Sequence, residues 1–280
     1  MPDSADKPVL DYDALMEVVR RRRSVRKFEE GKTVGRETLL QIAEAGRWAP
    51  SGANTQPWDF IIVDDPAVKE QVFDVFMRQS LRLFDDAKGF PHVRKSYMAN
   101  TVAIFVVVAD PRWEVCYPQA TTPEMEDEYN ANNEYIYLAS VGAAIQNLQL
   151  AVTAVGLTSA WLSGGGEATT NRELSEVLGY PPFMEAIGTM PVGYPEKDVS
   201  FRYRRPIEQV VHWNGYQGEQ YRSQELIDFY EQRLRPFAMY RNSERIEDWD
   251  DAEEKLGDWM DAFTGPVSNP GGKLPVDGEE

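Results

Sequence analysis

"TVAIFVVVA" (residues 101–109) decides the fold, because no position from Val102 to Ala109 is polar. A strand with one face in water alternates apolar and polar side chains, so an unbroken run predicts a central strand covered on both faces. The run is also far too short to cross a bilayer. Working outward, "WDFIIV" (58–63) reads as a second strand, and Pro66 to about Phe84, between the two, as a helix. Upstream, Leu15, Val18, Val19 and Arg22 keep helical spacing behind Asp11 or Asp13 as the cap, and a second helix runs from about Glu37 to Arg47. "APSGANTQPW" (49–58), punctuated by Pro, Gly and Asn, is a loop.

Downstream, residues 110–130 are rich in Pro, Glu and aromatic side chains without a period, which suits a mobile loop or lid. A long helix is expected from about Asn132 to Val155, ended by Gly156. Its Ala139, Ser140, Gly142, Ala143 and Ala144 are small enough to let a second helix approach. "LTSAWL" (157–162) reads as a strand running into "SGGG", Thr170 to Glu173 as a capping box opening a short helix, and "MEAIGTMPVGYP" (184–195) as another strand. Alternating helices and strands give an α/β or α+β core to about residue 216.

The net charge of −17 argues against a nucleic-acid partner, since phosphate-backbone affinity needs a basic face. From Gln217 to Glu280 there are sixteen Asp/Glu against seven Lys/Arg, so about half the excess lies in the last quarter of the chain. That tail is expected to be a separate acidic extension. It is too apolar for a disordered one, with Leu226, Phe229, Tyr230, Leu234, Phe237, Trp249, Leu256, Trp259 and Phe263. Cys116 is the single cysteine, and His92 and His212 are the only histidines, so neither a disulfide framework nor a Cys/His metal site is expected. With no apolar h-region in "MPDSADKPVLDYDAL", the reading is a cytoplasmic protein with no membrane partner.

Against this acidity stands "RRRSVRKF" (21–28), five cations and a hydroxyl in eight positions. The helix macrodipole alone would attract two or three of these arginines to a helix C-terminus. A second cluster, "SFRYRRP" (200–206), changes the balance: Arg202 and Arg204 alternate as on an extended strand and point to one side. Guanidinium forks around a serine hydroxyl suit a phosphate monoester. The nucleotide loops GxxxxGK[ST] and GxGxxG are absent. "SGGG" is an ordinary flexible turn or, after a strand, backbone bare enough for a flat ring to come close.

"RRRSVRKF", "APSGANTQPWDFIIV", "AAIQNLQLAVTAVGLTSAWLSGG" and "RYRRPIEQVVHW" occur in the order and spacing of the nitroreductase family of FMN-dependent oxidoreductases, which the chain resembles over roughly residues 14–214. The resemblance implies an α+β, three-layer nitroreductase-like fold, a central mixed sheet flanked by helices, in an entwined homodimer with one FMN at each of two subunit interfaces. It implies a core to residue 216 and an extension from 217 to 280. By matching positions, Arg22, Arg23, Ser24 and Arg26, with Arg202 and Arg204, would hold the ribityl phosphate and the pyrimidine edge of FMN. Pro50, Ser51, Gly52, Asn54 and Gln56 would reach the flavin of the opposite subunit, and Leu162, Ser163, Gly164 and Gly165 would lie over the ring near N5. Two departures stand out: Ser163 where some members carry Glu, and Gly52 where others have a second Ser.

The implied activity is ping-pong hydride transfer from NADH or NADPH through FMN to a small aromatic or conjugated substrate, planar and electron-poor, such as a nitroaromatic or quinone. No side chain is singled out as catalytic, because the cofactor carries the chemistry. Reductive dehalogenation, enone reduction, dehydrogenation of a metabolite in the reverse direction and plain FMN binding stay open as alternatives. So does a purely structural use of the arginines. Trp113, Tyr117, Tyr129 and Tyr135 line a substrate pocket or are ordinarily half-buried. His92, Arg94 and Lys95 are read as solvated surface, Gln146 and Asn147 as interface or backbone hydrogen-bond formers, and Cys116 as inert.

Overall fold

The computed structural model describes residues 11–86, 96–197, 207–218 and 221–229. Contacts divide the chain into two units, Met1–Val199 and Ser200–Glu280. The first holds helices α1 (Tyr12–Arg21), α2 (Arg36–Arg47), α3 (Pro66–Asp86), α4 (Glu126–Ala154) and α5 (Ala168–Leu178), and strands β1 (Trp58–Val63), β2 (Ala103–Ala109), β3 (Thr158–Ser159) and β4 (Glu185–Gly193).

β2 is buried at every position. Its odd-numbered side chains, Phe105 and Val107 among them, pack with Leu39 and Ile42 of α2, with Val141, Ala144, Ile145 and Leu148 of α4, and with Met190 and Val192 of β4. Its even-numbered Ile104, Val106 and Val108 pack with Val72, Val75 and Phe76 of α3 and Leu174 of α5. The unbroken apolar run therefore has the cause inferred for it, helices on both faces of the sheet. By length and composition α4 would suit a membrane span, but its Tyr137, Ile145, Leu148 and Val152 are core residues.

The strand order is β1-β2-β4-β3, and every ladder is antiparallel. Among the described residues the mixed character expected of the sheet is confined to one isolated parallel bridge, Ser24 with Ser159. The strand expected over 157–162 is shorter, only Thr158–Ser159, with Leu162 rejoining β4 opposite Thr189 as an isolated bridge. Pro191 explains the gap: Ala160 donates to its carbonyl at 3.4 Å, and proline has no N–H to return.

α1 starts at the expected cap, with Asp11 accepting from the Ala14 N–H at 3.0 Å. α4 begins six residues before the expected position, because Glu126, Asp127 and Glu128 sit in its first turn, where the dipole favours acids. The rest of the expected lid, Pro111–Cys116 and Pro123–Met125, forms two 3-10 turns. The capping box read at Thr170 is not one: α5 opens at Ala168 after Glu167, and Thr170 lies inside it, donating to the Glu167 carboxylate at 3.2 Å.

In the second unit, Ile207–Gln209 forms a 3-10 turn, His212 stacks on Tyr216 at 4.3 Å and accepts on Nδ1 from the Gln217 N–H, and α6 (Gln224–Phe229) follows. Of the expected acidic extension, only residues 217, 218 and 221–229, with α6, lie within the described residues. The readings at His92, Arg94, Lys95, Arg202 and Arg204, and on the tail from Tyr230, fall outside them.

Candidate active site

The basic segment leaves α1 at Arg22, whose backbone is already non-helical. Arg20 and Arg21 occupy the last helical turn, and Arg21 pairs with Glu17 at 2.6 Å, so the macrodipole explains these two and not the arginines that follow. Beyond the helix the chain runs extended beside β3. Ser24 bridges Ser159, the Val25 N–H donates to the Ser159 carbonyl at 2.9 Å, and Val25 and Phe28 are buried. This anchoring leaves Ser24 exposed and Arg22, Arg23 and Arg26 half-buried at the sheet edge. Arg22 donates to Gln149 Oε1 on α4 at 3.4 Å, and Arg23 to the Arg22 carbonyl at 2.7 Å. Arg26 hydrogen-bonds Tyr97, whose phenol burial pushes up to about 12 against the pull of that guanidinium. Tyr97 therefore stays neutral at any working pH.

The second part begins at Leu162, which exchanges two 2.9 Å hydrogen bonds with Thr189. Ser163 then leads into the 3-10 turn Gly164–Gly166. Ser159 faces Val192 and Leu162 faces Thr189, three residues apart on β4. The turn thus stands roughly 10 Å along the same edge from the basic segment. A Cβ on Gly164 would run into the Gln79 amide of α3, and one on Gly165 would lie 2.9 Å from the Ala186 carbonyl, so packing by itself requires both glycines.

The third part is the loop 50–57. Ala53, Asn54 and Gln56 all have positive φ, +48°, +54° and +47°, a conformation costly for residues with a Cβ. It is held in place from several sides. Ser51 Oγ accepts from the Gln56 N–H at 3.0 Å, the Gly52 N–H donates to Ser140 Oγ of α4 at 3.1 Å, and Thr55 Oγ1 lies 3.2 Å from the Tyr117 hydroxyl. A Cβ at Gly52 would collide with Ile136 and press on Tyr117, which is why no second Ser stands there. Pro50, Asn54 and Gln56 are exposed.

The loop and the basic segment do not meet in one chain. The loop rests on α4 at Ser140, the basic segment at Gln149, nine residues on, about 14 Å along the helix and half a turn around it. From Tyr135 to Gly142 α4 presents an outward stripe: Tyr135 is 71% exposed, Leu138 is 39% exposed, and Gly142 faces open space. Trp48 on the α2 side is 73% exposed. Asn147 donates to the Ala45 carbonyl at 3.1 Å, one of the two uses expected for it.

Beside the loop lies an acidic rim. Tyr137 donates to Glu185 at 3.1 Å, Arg112 pairs with Asp110 at 2.6 Å and covers the Phe183 ring at 4.1 Å, and burial plus Glu134 and Glu185 hold the Glu114 carboxyl above its usual range. Tyr117 is buried, whereas Trp113 and Tyr135 are exposed. Cys116 is exposed. Sequence reading missed Gln79, Tyr97 and Gln149. Gln79 left a trace, as a polar residue at the apolar spacing Val72, Val75, Phe76, Gln79.

Residues 19–194 match the model of the nitroreductase family. An NADPH-dependent oxidoreductase of Staphylococcus epidermidis is 25% identical over 241 residues, 85% of this chain and 88% of that one. Among solved structures, oxidized iodotyrosine deiodinase bound to FMN and 3-iodo-L-tyrosine aligns at a TM-score of 0.56 with 23% identity, covering 72% of this chain and 100% of that one. An NADPH:FMN oxidoreductase of Vibrio harveyi complexed with NAD+ aligns at 0.56 with 22% identity, covering 80% and 86%.

Proposed function

We propose that this chain, which belongs to the nitroreductase family, is an FMN-dependent NAD(P)H oxidoreductase acting on a small, planar, electron-poor substrate such as a nitroaromatic or quinone. The observation that carries the reading is the edge of β3. Cationic and hydroxyl donors at Arg22, Arg23, Ser24 and Arg26 stand at one end and the turn Ser163–Gly165 at the other, roughly 10 Å apart. An elongated cofactor with a phosphate at one end and a flat ring at the other fits that spacing. Bound there, FMN supplies the hydride acceptor and donor, and the protein's part is to hold and polarise it. The guanidinium groups neutralise the phosphate, and the turn offers backbone N–H groups to the ring.

The loop 50–57 is supplied to this site by a second copy of the chain. Its separation from the basic segment along α4 and the exposed apolar stripe of that helix support a homodimer. The same reading takes the protein as cytoplasmic, without nucleic-acid or membrane partners, and takes residues 217–280 as an extension of a core ending at 216. Its test is the anaerobic visible spectrum of the purified protein before and after NADH or NADPH. The expected result is a flavin spectrum that bleaches with one of the two donors and recovers on adding a nitroaromatic, quinone or halogenated phenol. Flavin that stays oxidised with both donors would leave only a binding role, and a protein that cannot be loaded with FMN would refute the site.

A further inference from the structure

Gln79 is 1% exposed on α3, continuing the apolar row of Val72, Val75 and Phe76 that packs under the sheet. A buried amide there is costly unless it is hydrogen-bonded. Its Nε2 donates to the Gly164 carbonyl at 2.6 Å, across 85 residues of sequence. The same carbonyl accepts the Glu167 N–H at 3.3 Å. Gly164 has no Cβ because the Gln79 amide fills that space.

A peptide group is planar and trans, so the carbonyl of one residue and the N–H of the next point in opposite directions. Two donors that fix the Gly164 carbonyl therefore fix the Gly165 N–H as well. We infer that Gln79 is a positioning residue: it aims the Gly164–Gly165 peptide, and so the Gly165 N–H, at the ring of the bound FMN. The inference rests on the FMN reading above and concerns a side chain that does not itself touch the cofactor. It accounts for two facts together, a polar residue on a core face and a glycine that packing requires at the turn.

The experiment compares the wild-type holoenzyme with Gln79→Met, which keeps the volume and removes the donor. FMN is expected to stay bound through the distant phosphate end. The flavin midpoint potential should shift negative, and anaerobic reduction by the nicotinamide donor should slow roughly tenfold, the scale of one lost hydrogen bond. A merely structural role would lower the thermal midpoint and leave the potential at the wild-type value, and that result overturns the inference while leaving the FMN reading intact. If Gln79→Met does not fold, Gln79→Leu, apolar and equally without a donor, is read by the same potential and rate and decides the matter the same way. A wild-type protein that cannot be loaded with FMN overturns both readings.

Discussion

The basic segment and the 50–57 loop are held by opposite means. Residues 22–28 are set by backbone: the chain bridges Ser159 and later Pro195, buries Val25 and Phe28, and leaves its polar side chains at the edge. The loop makes no such ladder. Its three positive-φ residues are kept in place by the hydroxyls of Ser51, Thr55, Tyr117 and Ser140, partly from distant elements. A segment held by its backbone can spend its side chains on a ligand. A loop held by hydroxyls spends them on itself and offers a shape. On the proposed reading one part contributes charge to the site and the other, from a partner chain, contributes a surface.

The largest expected effect breaks the charge-supplying side. Arg22→Ala combined with Arg26→Ala removes two charge-assisted donors to a phosphate, and FMN affinity should fall at least a hundredfold in a titration of the apoprotein. The thermal midpoint of the apoprotein should fall modestly, because the two half-buried side chains give up hydrogen bonds to Gln149 and Tyr97. A large loss of stability with unchanged affinity would return the arginines to a structural role.

Gly52→Ala should break the other side through shape alone. The added methyl runs into Ile136 and Tyr117, and overpacking of this kind costs about 1–3 kcal/mol, to be read by denaturant unfolding. Tyr117→Phe is milder, removing one hydroxyl contact to Thr55 at a cost of about 1 kcal/mol, and should alter the KM for the acceptor substrate more than FMN affinity. An unchanged unfolding midpoint for both would mean that the hydroxyl contacts do not hold the loop.

The smallest effect is at Glu114. Its carboxyl is held above the usual range by burial and then by Glu134 and Glu185, so the folded state binds a proton more readily than the unfolded chain. Stability contributed at this position is then present at low pH and lost as pH rises between the ordinary carboxylate value and the raised one. Glu114→Gln should slightly raise the thermal midpoint at neutral pH and flatten its fall across that window. A lowered midpoint at neutral pH would contradict the assignment.

Much of this was legible in the residues. The apolar run at 102–109 could only be a strand covered twice, and Asp11, Gly156 and the punctuation of 49–58 marked boundaries that the structure keeps. What escaped has local physical causes. Pro191 cut β3 short from the opposite strand, where no pattern in "LTSAWL" shows it. The acids at 126–128 look like loop composition and are helix-stabilising only once an N-terminus is placed there. The glycines of "SGGG" fit either a flexible turn or a ligand's approach, and the packing reason for the first of them, Gln79, is far away in sequence. Nor did the residues show that the loop anchors at the middle of α4, on Ser140, and the basic segment near its C-terminus, on Gln149.

The most direct measurement is FMN stoichiometry in a mixed dimer, with one chain carrying Arg22→Ala and Arg26→Ala and the other carrying Ser51→Ala and Asn54→Ala, each homodimer first shown to bind no FMN. If every site takes its charge from one chain and its loop from the partner, the mixed dimer has one intact site and should bind one FMN. If both parts act within a single chain, neither site is intact and the mixed dimer binds none, which would contradict the account.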